Sequence, residues 1–520
     1  MHPTPERLPG WLAYRASNTP DRTALEFDGT TWSFAQLDHD ATTLARRLGS
    51  VGVGEGDRVA MLLHNGAWAA LLIHAVMRLG ATLVPVNFRL TPSEIAWQLR
   101  DCDARLLVVD DPTASLGESV RDLVPGMRIA STSAVPGSPD ESLQAFPQAD
   151  VGLRSYHDTS SVLAIVYTSG TTGQPKGAML TVANFWWSAL GSALNIGNDP
   201  RDRWLACMPL FHVGGLSIVL RAAIYGIAIV VHDGFDADAV NAAIENDDVT
   251  VVSVVAVMLQ RMLDAHGGQP YPDTLRCVLL GGGPAPLPLL ERCAHLRIPV
   301  AQTYGLTETT SQLATLAPPD ALRKIGSAGR PLYPNLIRIA ADGRDAAAGE
   351  AGEILVRGPV VMAGYVGQAD ATAHAVVDGW LHTGDAGSLD DDGFLYVLDR
   401  RNDLIITGGE NVYPAEVESA LLSHPSVIEA GVVAVSDATW GQSVAAFVRV
   451  SDIEATDSAE LERSLRTHVE GVLAVFKRPR RYFVVGEPLP RTASGKLRRS
   501  DLRAMVRPEP PQAAGTTPTR

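Results

Sequence analysis

An apolar run, Val162 to Val166, opens directly into Tyr167-Thr168-Ser169-Gly170-Thr171-Thr172-Gly173-Gln174-Pro175-Lys176-Gly177, and this junction limits the fold more than any other stretch. The run reads as a buried strand. The loop after it is built from groups that look for an anion. Glycines let backbone N–H groups turn inward, Ser and Thr hydroxyls add donors, and Lys176 brings a full positive charge. No G-x-x-x-x-G-K-[ST] spacing can be laid over it, so it is not a Walker loop. Such a loop is built to hold phosphate oxygens, and the first half of the chain alternates amphipathic helices with short β-rich runs, the pattern of an α/β protein.

The rest of the chain agrees with that class. Ser33 and Gln36 form a capping box, and Phe34, Leu37, Leu44 and Leu48 then mark one helical face up to Gly49. Gly52-Val53-Gly54-Glu55-Gly56 follows that helix and precedes the strand-like Arg58–Leu63. A dinucleotide fingerprint needs strand before helix, so these glycines read as a turn. Further runs, Arg105–Val109, Ala228–Val231, Val251–Val255 and Cys277–Leu280, read as strands buried on both faces. At 520 residues the chain exceeds one core, and length alone suggests about three units.

A change of character comes at Asp399-Arg400-Arg401-Asn402-Asp403, a charged cluster between strand-like Phe394–Val397 and apolar Leu404–Ile406. Tyr413-Pro414-Ala415-Glu416 then starts a helix, with proline in the first turn and acid near the positive end of the dipole. We expect an N-terminal domain over 1–401, a C-terminal domain over 402–506, and a disordered Pro/Ala/Thr-rich tail over 507–520.

Charge excludes some partners. A net charge of −15 argues against nucleic acid, so a polyanionic ligand must find local basic patches. The most apolar stretches, such as Ala222–Val231 and Thr250–Leu259, are too short to span a bilayer. Cys102, Cys207, Cys277 and Cys293 lack metal-ligand spacing and suit buried thiols of a reducing compartment, and the first ten residues lack a signal-peptide core; both point to the cytoplasm. A homo-oligomer stays open.

The Tyr167–Gly177 segment resembles the phosphate-loop signature of the adenylate-forming enzymes: acyl-CoA synthetases, luciferases and the adenylation domains of peptide synthetases. The resemblance implies a large N-terminal domain of mixed sheets flanked by helices and a small α+β C-terminal domain that swivels. It also implies activation of a carboxylate by ATP with Mg²⁺, giving an acyl-adenylate and pyrophosphate, followed by acyl transfer. Thr168, Ser169, Gly170, Thr171, Thr172, Gly173 and Lys176 would then hold ATP phosphates. Thr303-Tyr304-Gly305-Leu306-Thr307-Glu308 is similar to the second signature of the family. A cation must neutralise the phosphates during in-line displacement, and a hard one prefers carboxylate oxygen, so Glu308 is the candidate Mg²⁺ ligand. Thr307 would contact the α-phosphate, and the ring of Tyr304 suits stacking on adenine. Gly281, Gly282 and Gly283 end a strand with bare backbone, a wall a flat base can approach. Asp385, in Thr383-Gly384-Asp385, resembles the ribose-binding carboxylate, and Arg400 the ribose-contacting arginine. Pro490-Arg491-Thr492-Ala493-Ser494-Gly495-Lys496 matches the loop of the catalytic lysine. An ammonium there, on Lys496, would meet charge developing on the phosphate oxygens. The hinge position, often Asp or Lys in the family, is Asn402 here.

Acid and acceptor follow from finer details. Pro209-Leu210-Phe211-His212-Val213-Gly214-Gly215 has His212 where amino-acid-activating domains carry an acid, which disfavours an amine substrate. By resemblance to acyl-CoA synthetases, His212 gates the acyl pocket. Gly408-Gly409-Glu410-Asn411 fits the acyl-CoA ligase pattern, in which the glycines let the pantetheine arm of coenzyme A pass. Lys477, Arg478, Arg480 and Arg481 form a basic patch suited to its phosphates. Phe211–Ser217 with Arg221, Leu280–Leu287, and Thr307-Glu308-Thr309-Thr310-Ser311-Gln312 resemble o-succinylbenzoate–CoA ligases of menaquinone biosynthesis. That acid carries two carboxylates. Arg221, a charge in an apolar stretch, either pairs with the ring carboxylate or closes a structural salt bridge, and Ser311 joins the substrate side. The alternatives are a ligase for a fatty or simple aromatic acid and a nucleotide-binding regulator without catalysis. Glu308 and Lys496 together speak against the regulator.

Overall fold

The computed structural model describes residues 6–133, 141–168, 175–283, 285, 287–317, 320–321, 323–341, 343–399, 404–450, 458–490 and 497–506. Ser169, Gly170, Thr171, Thr172, Gly173, Arg400, Asn402, Lys496 and the 507–520 tail lie outside them. Of the described residues, 6–168 and 175–399 form one compact unit and 404–506 a second.

The larger unit is α/β. One eight-stranded sheet holds Arg58–Leu62, Thr82–Pro85 and Leu106–Val109 in parallel, with Val162–Thr168 beside Thr82–Pro85. A nine-stranded sheet runs Val300–Tyr304, Cys277–Leu280, Val251–Val254, Arg203–Ala206 and Ala228–Val231 as parallel neighbours. A six-stranded, antiparallel sheet carries Trp380–Leu389 at its centre. The parallel strands Val251–Val254 and Cys277–Leu280 are buried along their whole length, which is why they read as unbroken apolar runs.

Local rules set the helix starts. Ser33 Oγ accepts from the Gln36 N–H at 3.3 Å while Gln36 Oε1 accepts from the Ser33 N–H at 2.8 Å, and the helix Phe34–Ser50 follows. Such a cap is worth about 1 kcal/mol. The face it orients buries Phe34, Leu37, Leu44 and Leu48, each contributing about 1.5–3 kcal/mol on leaving water.

The smaller unit has one five-stranded sheet. Glu429–Asp437 pairs antiparallel with Gly441–Arg449, which also takes Arg481–Val485 in parallel. The helices Pro414–Leu422 and Ser458–Glu470 supply Val417, Leu421, Leu461, Leu465 and Val469 to its core. Among the described residues no helix is long and apolar enough to cross a membrane.

Candidate active site

The two glycine-bearing signatures sit at the carboxyl ends of adjacent parallel strands. Gly281 to Gly283 follow Cys277–Leu280, and Gly305 to Glu308 follow Val300–Tyr304. Ligands of open α/β sheets bind at such ends. Gly305 is required by close approach, since a Cβ there would lie 1.6 Å from the Ser311 carbonyl oxygen. The chain can therefore fold back on itself, with Thr307–Thr309 forming a short 3₁₀ turn between.

The phosphate loop connects a β-hairpin. Val162–Thr168 pairs antiparallel with Lys176–Thr181, Thr168 lying opposite Lys176, so both described ends of the loop are fixed side by side. Thr168 Oγ1 donates to the Lys176 carbonyl at 3.4 Å. Tyr167 leaves the loop altogether: its hydroxyl donates to Asp101 Oδ2 at 2.7 Å, and burial raises its pKa.

Tyr365, which the sequence did not single out, joins two of the predicted parts. Its hydroxyl donates to Glu308 Oε1 at 2.9 Å, and Lys176 Nζ lies 5.3 Å from its ring centroid. Tyr365 is placed by pairing with Ala178, and Met362 N–H donates to the Glu308 carbonyl at 2.9 Å. Glu308 itself is half-buried. The cationic lysine and the candidate metal carboxylate thus share one aromatic support.

Tyr304 and Asp385 also meet. The Tyr304 hydroxyl donates to Asp385 Oδ2 at 2.7 Å, and both side chains are buried. The ring expected to stack on adenine is only 3% exposed, and its hydroxyl holds the Asp385 carboxylate.

His212 occupies the N-cap position of the helix Val213–Tyr225 without a side-chain cap bond, and its ring meets Phe211 edge-on, with 4.6 Å between centroids. The loop before it is clamped by Asn65, another residue missed from sequence. Asn65 Nδ2 donates to the Met208 carbonyl, and its Oδ1 accepts from the Leu210 N–H, both at 2.9 Å. Two turns along the same helix, Arg221 is 2% exposed. Nη2 donates to Ser188 Oγ at 3.0 Å, the guanidinium carbon lies 5.8 Å from the Trp204 centroid, and Nε has no partner. No carboxylate pairs with Arg221 among the described residues, so the structural salt bridge considered above is not seen there. Burial pulls its pKa down. An anion beside it would relieve that cost. Ser217 Oγ, one turn earlier on the same face, is likewise buried without a partner, as is the whole amide of Gln312. Ser311, half-buried, precedes Gln312 with φ +80°.

In the smaller unit, Gly408 and Gly409 form the two-residue turn between Ile405–Thr407 and Glu410–Val412. Their φ values of +58° and +87° are those of the hairpin turn that favours glycine. Lys477 needs correction. It is buried, and Nζ donates to Glu416 Oε1 at 2.7 Å, so it is no part of an exposed phosphate-binding patch. Arg478 uses Nε and Nη2 on the carbonyls of Leu473 and Glu470. The four cysteines are free, and burial pushes their thiols up to about 11 or 12, which disqualifies them as nucleophiles at neutral pH.

Known proteins are similar to this chain over most of its length. The family model of the AMP-binding enzyme matches residues 12–366, and that of the AMP-binding enzyme C-terminal domain matches 416–496. A 2-succinylbenzoate–CoA ligase of Geobacillus kaustophilus is 50% identical over 500 residues, covering 96% of this chain and 98% of the relative. A double mutant of the Bacillus subtilis o-succinylbenzoate CoA synthetase, bound with its product analogue OSB-NCoA, superposes with a TM-score of 0.88. It is 41% identical over 96% of this chain and 99% of its own. The same Bacillus subtilis synthetase in complex with ATP and magnesium ion has a TM-score of 0.72 and 40% identity, covering 96% and 99%.

Proposed function

This chain belongs to the AMP-binding enzymes, and from that premise we propose how its own residues divide the work of an acid–thiol ligase. It activates 2-succinylbenzoate with ATP and transfers the acyl group to coenzyme A, forming 2-succinylbenzoyl-CoA for menaquinone biosynthesis. In the first half-reaction a succinyl carboxylate oxygen bonds to the α-phosphorus while the bond to the bridging oxygen breaks and pyrophosphate leaves. Thr168, Ser169 to Gly173 and Lys176 hold the phosphates, and the Thr307 hydroxyl steadies the α-phosphate. Lys496 stabilises the charge developing on the phosphate oxygens. Gly281 to Gly283 wall the adenine, while Asp385, supported by Tyr304, and Arg400 receive the ribose.

Glu308 would hold Mg²⁺. Among the described residues no group of three or more His, Cys, Asp or Glu is arranged to hold a metal ion, and magnesium fits a single carboxylate supplemented by substrate phosphates. When bound, the ion supplies positive charge to the phosphate oxygens. Tyr365 keeps the Glu308 carboxylate oriented.

In the second half-reaction the coenzyme A thiol attacks the acyl carbonyl and AMP leaves. Gly408 and Gly409 let the pantetheine arm pass, Arg478 meets the phosphates, Asn402 is the hinge, and His212 gates the acyl pocket. The four buried thiols suit a cytoplasmic enzyme.

One observation carries the choice of a diacid: the buried Arg221 guanidinium has donors to spare and no carboxylate to meet among the described residues. With Ser217, Ser311 and Gln312 it forms a reading in which the ring carboxylate is the missing partner. A CoA-release assay over 2-succinylbenzoate, benzoate, cinnamate and a medium-chain fatty acid tests it. The diacid should be used at least tenfold better than the others, the order expected for a charge-assisted bond. Preference for the fatty acid would overturn the substrate.

A further inference from the structure

Arg221, Ser188 and Thr310 form a line of two hydrogen bonds from helix to helix to turn. Arg221 Nη2 donates to Ser188 Oγ at 3.0 Å, and the Ser188 hydroxyl donates to the Thr310 carbonyl at 2.7 Å. All three residues are buried, and Ser188 belongs to the helix Val182–Ile196. A serine has one proton to give. Here it goes to Thr310, which leaves the oxygen lone pairs for the guanidinium.

The far end of the line is strained. Thr310 and Ser311 have φ of +54° and +80°, the left-handed region that side-chain-bearing residues rarely adopt, least of all a β-branched one. Such a conformation persists only when the surroundings hold it. The Thr310 side chain is held by the Val360 carbonyl at 2.9 Å, and its own carbonyl by Ser188. Thr307 and Glu308 lie in the turn immediately before.

We propose that Ser188 is a positioning residue that makes the rate of adenylation depend on what occupies Arg221. Arg221 Nη2 already holds Ser188, while Nε is unused. A carboxylate that takes the unused donor locks the guanidinium plane in this orientation, which strengthens the hold of Nη2 on Ser188 and of Ser188 on the Thr310 carbonyl. Chained hydrogen bonds also polarise one another in a low-dielectric interior. Binding made at the remote ring carboxylate then appears at the reacting centre as a higher kcat, not only as a lower KM. This inference rests on the reading of Arg221 as the ring-carboxylate partner.

The experiment compares 2-succinylbenzoate with 4-oxo-4-phenylbutanoate, the same acid without the ring carboxylate, in ATP–pyrophosphate exchange. In the unaltered enzyme the shortened acid should show a raised KM and a kcat lower by about five- to tenfold. Ser188→Ala should keep the KM gap and close the kcat gap, by bringing the diacid down to the monoacid. Ser188→Thr, which retains the hydroxyl, should restore the gap, and an unchanged KM for ATP and melting temperature would report an intact fold. A kcat gap unchanged in Ser188→Ala overturns the proposal. So does discrimination in KM alone in the unaltered enzyme, which leaves the Arg221 reading standing. Absence of any discrimination in the unaltered enzyme removes that reading itself.

Discussion

Arg221 in the larger unit and Lys477 in the smaller are equally withdrawn from water, at 2% and 3% exposure, yet they solve the problem of a buried charge in opposite ways. Lys477 is paired with Glu416 at 2.7 Å. Arg221 has a serine hydroxyl, an aromatic face and an unused Nε–H. Both were anion-binding candidates in the sequence. The difference shows that burial of a cation is not by itself a sign of a ligand; what matters is whether the protein has already supplied the counter-charge. A paired ion is stabilised internally and loses heavily when one partner goes, whereas an unpaired one keeps a standing desolvation cost that only an incoming anion relieves.

The largest expected effect tests the paired side. Lys477→Met leaves the Glu416 carboxylate buried without its ammonium and should destabilise the smaller unit by about 3–5 kcal/mol. Hydrogen exchange on the full chain should show lost protection in 405–450 and 458–490, and adding Glu416→Leu should recover most of it. Unchanged protection with a raised KM for coenzyme A would break the comparison and return Lys477 to the cofactor.

Arg221→Ala should behave in the opposite manner, with little loss of stability and a large loss of one activity. Removing a charge-assisted bond of about 1.5–3 kcal/mol lowers kcat/KM for 2-succinylbenzoate roughly 10- to 150-fold while sparing monocarboxylates. Steady-state assays on both acid classes, alongside a thermal melt, decide it. Equal impairment on every acid would make Arg221 structural after all.

The smallest effect concerns an intermediate case, the buried Asp385 carboxylate steadied by the neutral Tyr304 hydroxyl. Tyr304→Phe removes one hydrogen bond, worth about 0.5–1.5 kcal/mol. The KM for ATP should rise about two- to tenfold with that for coenzyme A unchanged. A shift in both would assign Tyr304 to general packing.

Much of the architecture was legible because it is encoded locally. The Ser33–Gln36 cap spans three residues, the buried parallel strands are short apolar runs, and the Gly408–Gly409 turn needs positive φ at adjacent positions. The glycine of the Thr303–Glu308 signature has a related local reason, since the chain reverses so closely at Gly305 that a side chain would meet the Ser311 carbonyl.

What only the tertiary structure decided is who satisfies whom. Tyr365 reaches Glu308 across 57 positions, Lys477 reaches Glu416 across 61, Ser188 reaches Thr310 across 122, and Asn65 grips Leu210 across 145. None of these pairs shares an element, so no periodicity along the chain connects them. The sequence by itself determined the α/β class, the order of the signatures and the one charge set in an apolar stretch, Arg221, but not the burial of Lys477. Whether each buried charge meets a protein partner or waits for a ligand is settled when separate elements pack, because a buried polar group accepts whatever donor or acceptor that packing brings within about 3 Å.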